Sequence, residues 1–208
     1  MDISGYLYAN SMASHTCVYL WKPTIAALHS VLKNTTSRRV FDLGCGAGAF
    51  ANALSDQGFE VSGVDPSLTG IEQARKAYPS IRLEVGSTEE NLCSRFGKFQ
   101  ALTSLEVVEH VYAPRQYAAR VFELLEPGGT AVISTPYNGY WKNLAIALLG
   151  KYDRHYTALW DNGHIKFWSI KTLGQLLSEA GFIEIEFLRV GRIPPLAKSM
   201  IAIAKKPK

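Results

Sequence analysis

The stretch RRVFDLGCGAGAF, residues 38–50, decides the fold of this chain because it joins a short apolar run to a glycine-rich turn. Residues 38–42 are typical of a buried strand, and residues 47–58 are typical of the helix that follows it. Glycines between a strand and a helix let the backbone approach a ligand closely. The turn therefore predicts a binding site at the carboxyl end of the first strand.

The same strand–helix unit recurs along the chain. Further strands are predicted at 60–65, 81–85, 98–106, 130–136, 182–190 and 199–206, and further helices at 23–33, 67–79, 114–129, 139–149 and 169–181. Strands that alternate with helices indicate a doubly wound, Rossmann-like α/β fold with a mostly parallel sheet and helices on both faces. The link between the last two strands is too short for a parallel crossover, so this pair is expected to be antiparallel.

The length and composition indicate one domain over residues 1–208, with a helical lead-in over 1–37 and a substrate-lid insertion over about 136–168. The net charge is only +4 and there is no run of five like charges, which argues against a nucleic-acid partner. Three scattered cysteines without CxxC spacing fit a reducing, cytoplasmic setting. No apolar run approaches the roughly 20 residues that span a bilayer, although the apolar segment 140–150 could contact a membrane surface. The oligomeric state stays open.

Two carboxylates accompany the glycine turn and indicate its ligand. Asp65 ends the second predicted strand, where an acid in this topology accepts hydrogen bonds from two ribose hydroxyls. That position fits a nicotinamide cofactor and an adenosyl cofactor equally. The other carboxylate, Asp42, ends the first predicted strand and distinguishes between the two cofactors.

The distinction is electrostatic. Two unit charges about 4 Å apart interact by roughly 4 kcal/mol at an effective dielectric constant near 20. Beside a pyrophosphate this interaction opposes binding, whereas beside the ammonium and sulfonium groups of S-adenosylmethionine it favours binding. Alternatively, Asp42 only caps the turn by accepting hydrogen bonds from its amides. We expect S-adenosylmethionine as the cofactor, and a nicotinamide-dependent oxidoreductase is the alternative from another class.

Three segments, VFDLGCGAG (40–48), VSGVDPS (61–67) and LLEPGG (124–129), together resemble the class I S-adenosylmethionine-dependent methyltransferases. The resemblance implies a seven-stranded sheet whose last strand is antiparallel. It also implies adenine contacts in the loop after the third strand, where this chain has Gly-Ser instead of an acidic residue followed by a small one. The residues expected to bind the cofactor are Asp42, Gly44, Cys45, Gly46, Gly48, Asp65, Pro66, Ser87, Leu105 and Glu106.

A second cluster follows the fourth predicted strand in SLEVVEHV, residues 104–111. If this segment is helical, its spacing puts Glu106, Glu109 and His110 on one face, at the sheet edge that borders the ligand crevice. Two carboxylates and an imidazole suit a divalent cation such as Mg²⁺, which lowers the pKa of an acceptor hydroxyl. They equally suit general-base catalysis by His110, oriented by a glutamate. The third alternative is structural, with Glu106 as a cap and His110 packed inside.

This stretch is similar to motifs of two methyltransferase groups. The quinone-biosynthesis (ubiquinone) O-methyltransferases carry a similar EVxEHV, and the small-RNA 2′-O-methyltransferases bind a divalent ion through E-x-x-E-H and a later histidine. This chain offers His155 and His164 as later histidines, and we favour His164 because it shortly precedes the returning helix. The expected catalytic and metal-binding residues are Glu106, Glu109, His110 and His164.

The insertion is rich in aromatic residues with polar tips, which can line a pocket for a flat acceptor or form a small core of their own. Together with nearby lysines they could also stack on RNA. In the lead-in, Tyr6, Tyr8 and His15 are candidates for closing over the cofactor. We expect methyl transfer to a phenol or catechol hydroxyl of a small aromatic or quinone-like acceptor, with RNA 2′-O-methylation as the alternative.

Overall fold

The computed structural model describes residue 8, residue 11, residues 17–161 and residues 163–208. Seven strands lie in this part of the chain. They are β1 (Arg39–Leu43), β2 (Glu60–Asp65), β3 (Arg82–Val85), β4 (Phe99–Leu105), β5 (Leu125–Pro136), β6 (Ile183–Val190) and β7 (Ser199–Lys205). All seven belong to one sheet, in the order β3-β2-β1-β4-β5-β7-β6.

The pairing of the strands confirms the predicted sheet. The first five strands are parallel to one another, and β7 is antiparallel to both β5 and β6. The strand order reverses between β1 and β4, because the chain first proceeds outward to β3 and then returns to the other side of β1. In an open α/β sheet, the crevice at such a reversal is where ligands bind. The glycine turn and the SLEVVEHV segment follow these two strands.

Helices cover both faces of the sheet. They are α1 (Trp21–Val31), α2 (Ala49–Ser55), α3 (Leu68–Ala77), α4 (Leu92–Phe96), α5 (Pro114–Leu124), α6 (Tyr140–Leu148), α7 (Tyr152–Tyr156) and α8 (Ile170–Glu179), with short 3₁₀ turns at Val18–Leu20 and Pro194–Leu196. Ser67 and Ser169 cap the N-termini of α3 and α8, where their hydroxyl oxygens accept hydrogen bonds from the amides of Gly70 and Thr172. The sequence did not predict α4 and α7, since five residues are too few for a helical period to be recognised.

The core forms two clusters, one on each face of the sheet. Val40 belongs to the cluster beneath α1, α2 and α3, whereas its neighbour Phe41 belongs to the cluster beneath α4, α5 and α8. Successive residues of a strand point to opposite faces, so a strand that is apolar throughout must be covered on both sides. The buried run in β1 thus accounts for the doubly wound architecture.

The junction between α5 and β5 differs from the prediction, which extended the helix through residue 129. The helix ends at Leu124, and the strand begins at once with Leu125, which pairs with Phe99. The ladder with β4 then shifts its register, and Gly128, at φ 77°, donates its amide to the Pro207 carbonyl oxygen at 3.1 Å. The Pro-Gly-Gly sequence therefore forms an irregular start of the strand instead of a separate turn.

Among the described helices, none combines the length and the apolar character that crossing a bilayer requires.

Candidate active site

The glycine turn between β1 and α2 has a backbone conformation that favours glycine. Gly44 and Gly46 have φ angles of 84° and 53°. A Cβ on Gly44 would collide with the Val107 side chain, and one on Gly46 would lie 2.7 Å from the Tyr8 hydroxyl oxygen. The Gly44 amide donates to the Val64 carbonyl oxygen at 2.8 Å, which holds the turn against β2. Side chains at these two positions would therefore occupy the space beside the turn.

A cavity of about 140 Å³ opens beside this turn. Five of the residues predicted to bind the cofactor line it, namely Asp42, Gly44, Cys45, Gly46 and Leu105. The cavity does not include Gly48, Asp65, Pro66, Ser87 or Glu106. Tyr8 from the lead-in and the rings of Trp21 and Phe50 also line it, with the two ring centroids 5.6 Å apart. The remaining lining residues are Cys17, Ala47 and Ala49. The other two lead-in candidates, Tyr6 and His15, lie outside the described residues.

Asp42 is only 2% exposed at the end of β1. Its Oδ1 accepts a hydrogen bond from the Thr103 hydroxyl of β4 at 2.8 Å. Burial raises the pKa of Asp42 from 3.8 to about 7; the Thr103 hydrogen bond opposes this rise, and the charge of Asp65 adds to it. A buried carboxylate of this kind gains free energy when a cation binds beside it. The residue thus fits a positively charged ligand group.

Asp65 caps the glycine turn, which is the role that the sequence offered as an alternative for Asp42. Its Oδ2 accepts from the Gly46 amide and its Oδ1 from the Ser67 amide, both at 2.8 Å. In the loop after β3, the Ser87 hydroxyl oxygen accepts from the Glu89 amide at 3.2 Å. The contacts of Asp65 with ribose and of Ser87 with adenine stay predictions.

Residues 106–110 form a turn and not a helix, so the expected common face does not exist. The His110 amide donates to the Val107 carbonyl oxygen at 2.9 Å, and Glu106 adopts a φ of 56°. Left-handed backbone at a residue other than glycine is strained and often marks a functional site. Glu106 is bonded to Ser134, whereas Glu109 and His110 converge with His164, although the charge of Glu106 still acts on Glu109.

Glu106 is held by hydroxyl groups from two strands, β5 and β7. Its Oε1 accepts from the Ser134 hydroxyl at 2.8 Å, and its Oε2 accepts from the Ser199 hydroxyl at 3.4 Å. The Ser199 hydroxyl also shares a hydrogen bond of 2.6 Å with the Tyr19 hydroxyl. Burial raises the pKa of Glu106 to about 7 against the opposing effects of these two serines and of the Lys142 charge.

Glu109, His110 and His164 do come together. One potential ligand atom from each lies within 4.8 Å of the others, and His164 Nε2 is 3.9 Å from Glu109 Oε1. Glu109 is fully buried, and neither of its carboxylate oxygens accepts a hydrogen bond of normal geometry from the described residues, although the Thr135 hydroxyl is close enough to oppose the rise in its pKa. A buried carboxylate without partners is costly unless a proton or a cation occupies the site. The donor set therefore fits a small divalent cation.

The protonation of this cluster follows from its burial. Burial, followed by the charge of Glu106, raises the pKa of Glu109 well above its ordinary value. Burial, followed by the charges of His110 and His155, lowers the pKa of His164 from 6.5 to about 4. At neutral pH, His164 is thus an uncharged imidazole that can accept a hydrogen bond or bind a metal ion.

The end of the insertion is attached directly to this turn. The amides of Ile165 and Lys166 both donate to the Glu109 carbonyl oxygen at 3.0 Å, and the Trp168 indole N–H donates to the Val108 carbonyl oxygen at 3.1 Å. These bonds bring His164 to the cluster, whereas His155 lies on α7 and lines a different cavity.

Sequence reasoning missed the hydroxyl groups that position the two acidic residues. Thr103 could have been found, because it pairs with Asp42 across the β1–β4 ladder once the register is known. Tyr19 and Ser199 are 180 positions apart in the chain and meet only in the folded protein. No local pattern predicts such a contact.

A family model described as a methyltransferase domain matches residues 17–185. A ubiquinone biosynthesis O-methyltransferase of Thiobacillus denitrificans is 31% identical over 166 residues, which cover 77% of this chain and 71% of that protein. The protein of the same name from Bradyrhizobium diazoefficiens is 37% identical over 115 residues, 54% of this chain and 45% of the relative. The chain thus spans less than half the length of this second relative.

Two solved structures have a similar fold. The methyltransferase domain of bacterial CtHen1 has a TM-score of 0.67 at 23% identity, over 91% of this chain and 98% of that one. A 1,6-didemethyltoxoflavin N1-methyltransferase of Burkholderia thailandensis, solved with S-adenosylhomocysteine, has a TM-score of 0.65 at 20% identity, over 90% and 78% of the two chains. These likenesses support the fold alone.

Proposed function

This chain belongs to the class I S-adenosylmethionine-dependent methyltransferases, and we propose that it methylates a phenol or catechol hydroxyl of a small aromatic or quinone-like acceptor. The observation that carries the proposal is the buried Glu109 carboxylate without hydrogen-bond partners, beside His110 and His164. A hydroxyl must lose its proton on methylation, and such a cluster can receive it. The ubiquinone-biosynthesis relatives are named as O-methyltransferases, which supports the same acceptor chemistry.

The glycine turn and its carboxylates would hold the cofactor. The backbone at Gly44 and Gly46 leaves room for a ligand at the cavity, and the buried Asp42 would bind the ammonium group of its methionyl end. When bound, S-adenosylmethionine supplies an electrophilic methyl group on a positively charged sulfur. Asp65 fixes the turn through its bonds to backbone amides, and we propose that it also accepts from the ribose hydroxyls.

The side chains at the end of β4 would prepare the acceptor. Glu109 and His110 would take up the hydroxyl proton, and His164 would keep its uncharged imidazole directed at the same point. Glu106, held by Ser134 and Ser199, would keep the start of the turn in place. Because a phenol has a pKa near 10, a positioned base raises the fraction of the reactive phenolate at neutral pH.

A divalent cation such as Mg²⁺ also fits Glu109, His110 and His164. When bound, such an ion lowers the pKa of a coordinated hydroxyl. The metal-assisted and the general-base alternatives use the same three residues and differ in whether a chelator stops the reaction. Residues 136–168 would form the lid over the acceptor, since their far end is bonded to the Val108–Glu109 turn.

The test measures methyl transfer from S-adenosylmethionine to catechol and to 1,2-diaminobenzene, its nitrogen counterpart. Catechol is expected to be methylated and the diamine not, and Glu109→Gln is expected to lower transfer to catechol by about 100-fold or more. The exposed Glu72→Gln on α3 serves as the matched control and should keep full activity. Equal transfer to the diamine, or a fully active Glu109→Gln, would refute the proposal.

A second candidate is the 2′-hydroxyl at an RNA end. The observation in its favour is that His164 joins Glu109 and His110, three of the four residues in the E-x-x-E-H motif with a later histidine, whereas Glu106 is bonded to Ser134 and Ser199. Binding of a short RNA that weakens steeply with salt, together with methylation of its terminal ribose, would favour this candidate over the catechol acceptor.

A further inference from the structure

A second cavity, of about 390 Å³, lies in the insertion between α6, α7 and the link that joins β6 to β7. This volume is in the range of small-molecule binding sites. Its apolar wall comes from Ile146 and Leu149 at the end of α6 and from Leu196 in the link. Leu149 is 64% exposed and Leu196 is 37% exposed, so this wall is accessible to a ligand.

The rest of this cavity is positively charged. Lys142, Lys151, Arg154 and Arg192 line it together with His155, and no carboxylate is among the described lining residues. None of these four cations forms an ion pair within residues 17–161 and 163–208. Four like charges around one space repel one another, and an anion would relieve that repulsion.

Lys142 connects this cavity with the candidate active site. Its ammonium group donates to the carbonyl oxygens of Tyr137 at 2.8 Å and Lys198 at 3.3 Å, so it is held by backbone. Burial and the charge of Arg192 lower the pKa of Lys142 to about 8, while the charge of Glu106 opposes that change. Lys142 is thus the lining residue of this cavity on which the charge of Glu106, directly after β4, acts.

We propose that this cavity binds the anionic end of an amphiphilic small molecule, a carboxylate or a phosphate monoester joined to an apolar group. Resting on the proposed function, this molecule is the methyl acceptor. Arg154 and Arg192 bind its charged oxygens, since the planar guanidinium suits both kinds of anion. Ile146, Leu149 and Leu196 contact its apolar part.

The first experiment measures binding to the full chain by titration calorimetry, without any methyl transfer. The probes are octyl phosphate and octanoate below their micelle concentrations, with octanol as the neutral counterpart. At least one anion is expected to bind about tenfold or more tightly than octanol, and the double variant Arg154→Gln/Arg192→Gln should lose that difference. The matched control is Arg189→Gln, an exposed arginine on β6 outside the cavity, which should change binding by less than about twofold.

The second experiment compares the KM values of catechol and 3,4-dihydroxybenzoate as acceptors. The carboxylate is expected to lower KM by about tenfold, and the double variant should abolish this preference while kcat stays unchanged.

Equal binding of the anions and octanol would overturn the anion site, and a KM ratio that survives in the double variant would overturn the link to the acceptor. Anion binding that the double variant abolishes, in a protein that methylates neither phenol, would support the site and refute the proposed function. Binding to phosphatidylglycerol vesicles but not to either monomeric anion would also overturn the site.

Discussion

Replacement of Asp42 by Asn should make the free enzyme more stable and the cofactor complex weaker. The difference between a pKa of about 7 in the folded protein and 3.8 in the unfolded chain corresponds to about 4 kcal/mol. Between these two values the folded state binds more protons than the unfolded state, so stability falls as the pH rises from about 4 to about 7. The carboxamide removes this loss and can still accept the Thr103 hydrogen bond through Oδ1.

The assay is urea unfolding of both proteins across this pH range. The two free energies of unfolding should agree near pH 4 and then diverge, with Asp42→Asn more stable by up to about 4 kcal/mol above pH 7. The control is Asp56→Asn, at the exposed residue that directly follows α2, and it should follow the wild type at every pH. The reasoning fails if the Asp42→Asn and wild-type curves remain parallel.

Calorimetry with S-adenosylmethionine tests the other half of this prediction. The variant should bind about 10- to 100-fold more weakly at pH 8, because a charge-assisted hydrogen bond contributes about 1.5–3 kcal/mol. Below pH 7 the wild type should lose affinity as Asp42 becomes protonated, and the gap between the two proteins should narrow. Protonation of S-adenosylmethionine itself affects its binding to both proteins equally, so it does not change the ratio of the two affinities. A ratio that stays near one at all pH values would contradict a cation beside Asp42.

Three further predictions concern the turns at the ends of β1 and β4. Gly44→Ala should lower the free energy of unfolding by more than about 1 kcal/mol and weaken the binding of S-adenosylmethionine, because its Cβ would collide with Val107 at a φ of 84°. Gly58→Ala controls for the positive φ alone, since its Cβ would meet nothing within 4 Å. Equal affinities of the two variants for S-adenosylmethionine would contradict a ligand site at the glycine turn. If an ion binds Glu109, dialysis against a chelator should reduce methyl transfer by about 100-fold, and adding Mg²⁺ should restore it. Undiminished methyl transfer after dialysis would exclude the metal-assisted alternative and favour general-base catalysis. His164→Ala should reduce methyl transfer by a similar factor, while calorimetry gives an unchanged affinity for S-adenosylmethionine. His155→Ala should leave kcat unchanged. A loss of transfer in His155→Ala but not in His164→Ala would contradict the assignment of His164 to the cluster.

The elements built from continuous patterns could be predicted from the sequence. The buried run of β1, the glycine turn and the acid at the end of β2 are local features, and parallel topology brings their ends to one edge of the sheet. The choice of His164 over His155 also rested on topology, since the residue that shortly precedes α8 must return to the sheet. His164 does lie beside Glu109, although its role stays a prediction.

The remaining features depend on backbone angles and on distant contacts. The spacing of Glu106 and Glu109 would place them on one helical face, but a φ of 56° at Glu106 turns the chain and sends the two carboxylates to different partners. Likewise, both Asp42 and Asp65 could have capped the glycine turn, and only the folded geometry assigns the amides to Asp65. The basic cavity joins Lys142 to Arg192, which no periodicity connects.

The three hydrogen bonds that tie residues 165–168 to Val108 and Glu109 divide the insertion into two unequal parts. The far end moves with the Val108–Glu109 turn and cannot swing away from it without breaking those bonds. The preceding segment makes none of them, although its Trp160 ring packs against His110 and His164 at centroid distances of 6.4 and 5.5 Å. A scaffold arranged in this way can exchange residues 140–159 for an unrelated sequence and admit a new molecule, while the contacts among Glu109, His110 and His164 stay intact. Evolution and protein engineering can therefore alter selectivity in this molecule by changing one contiguous surface segment.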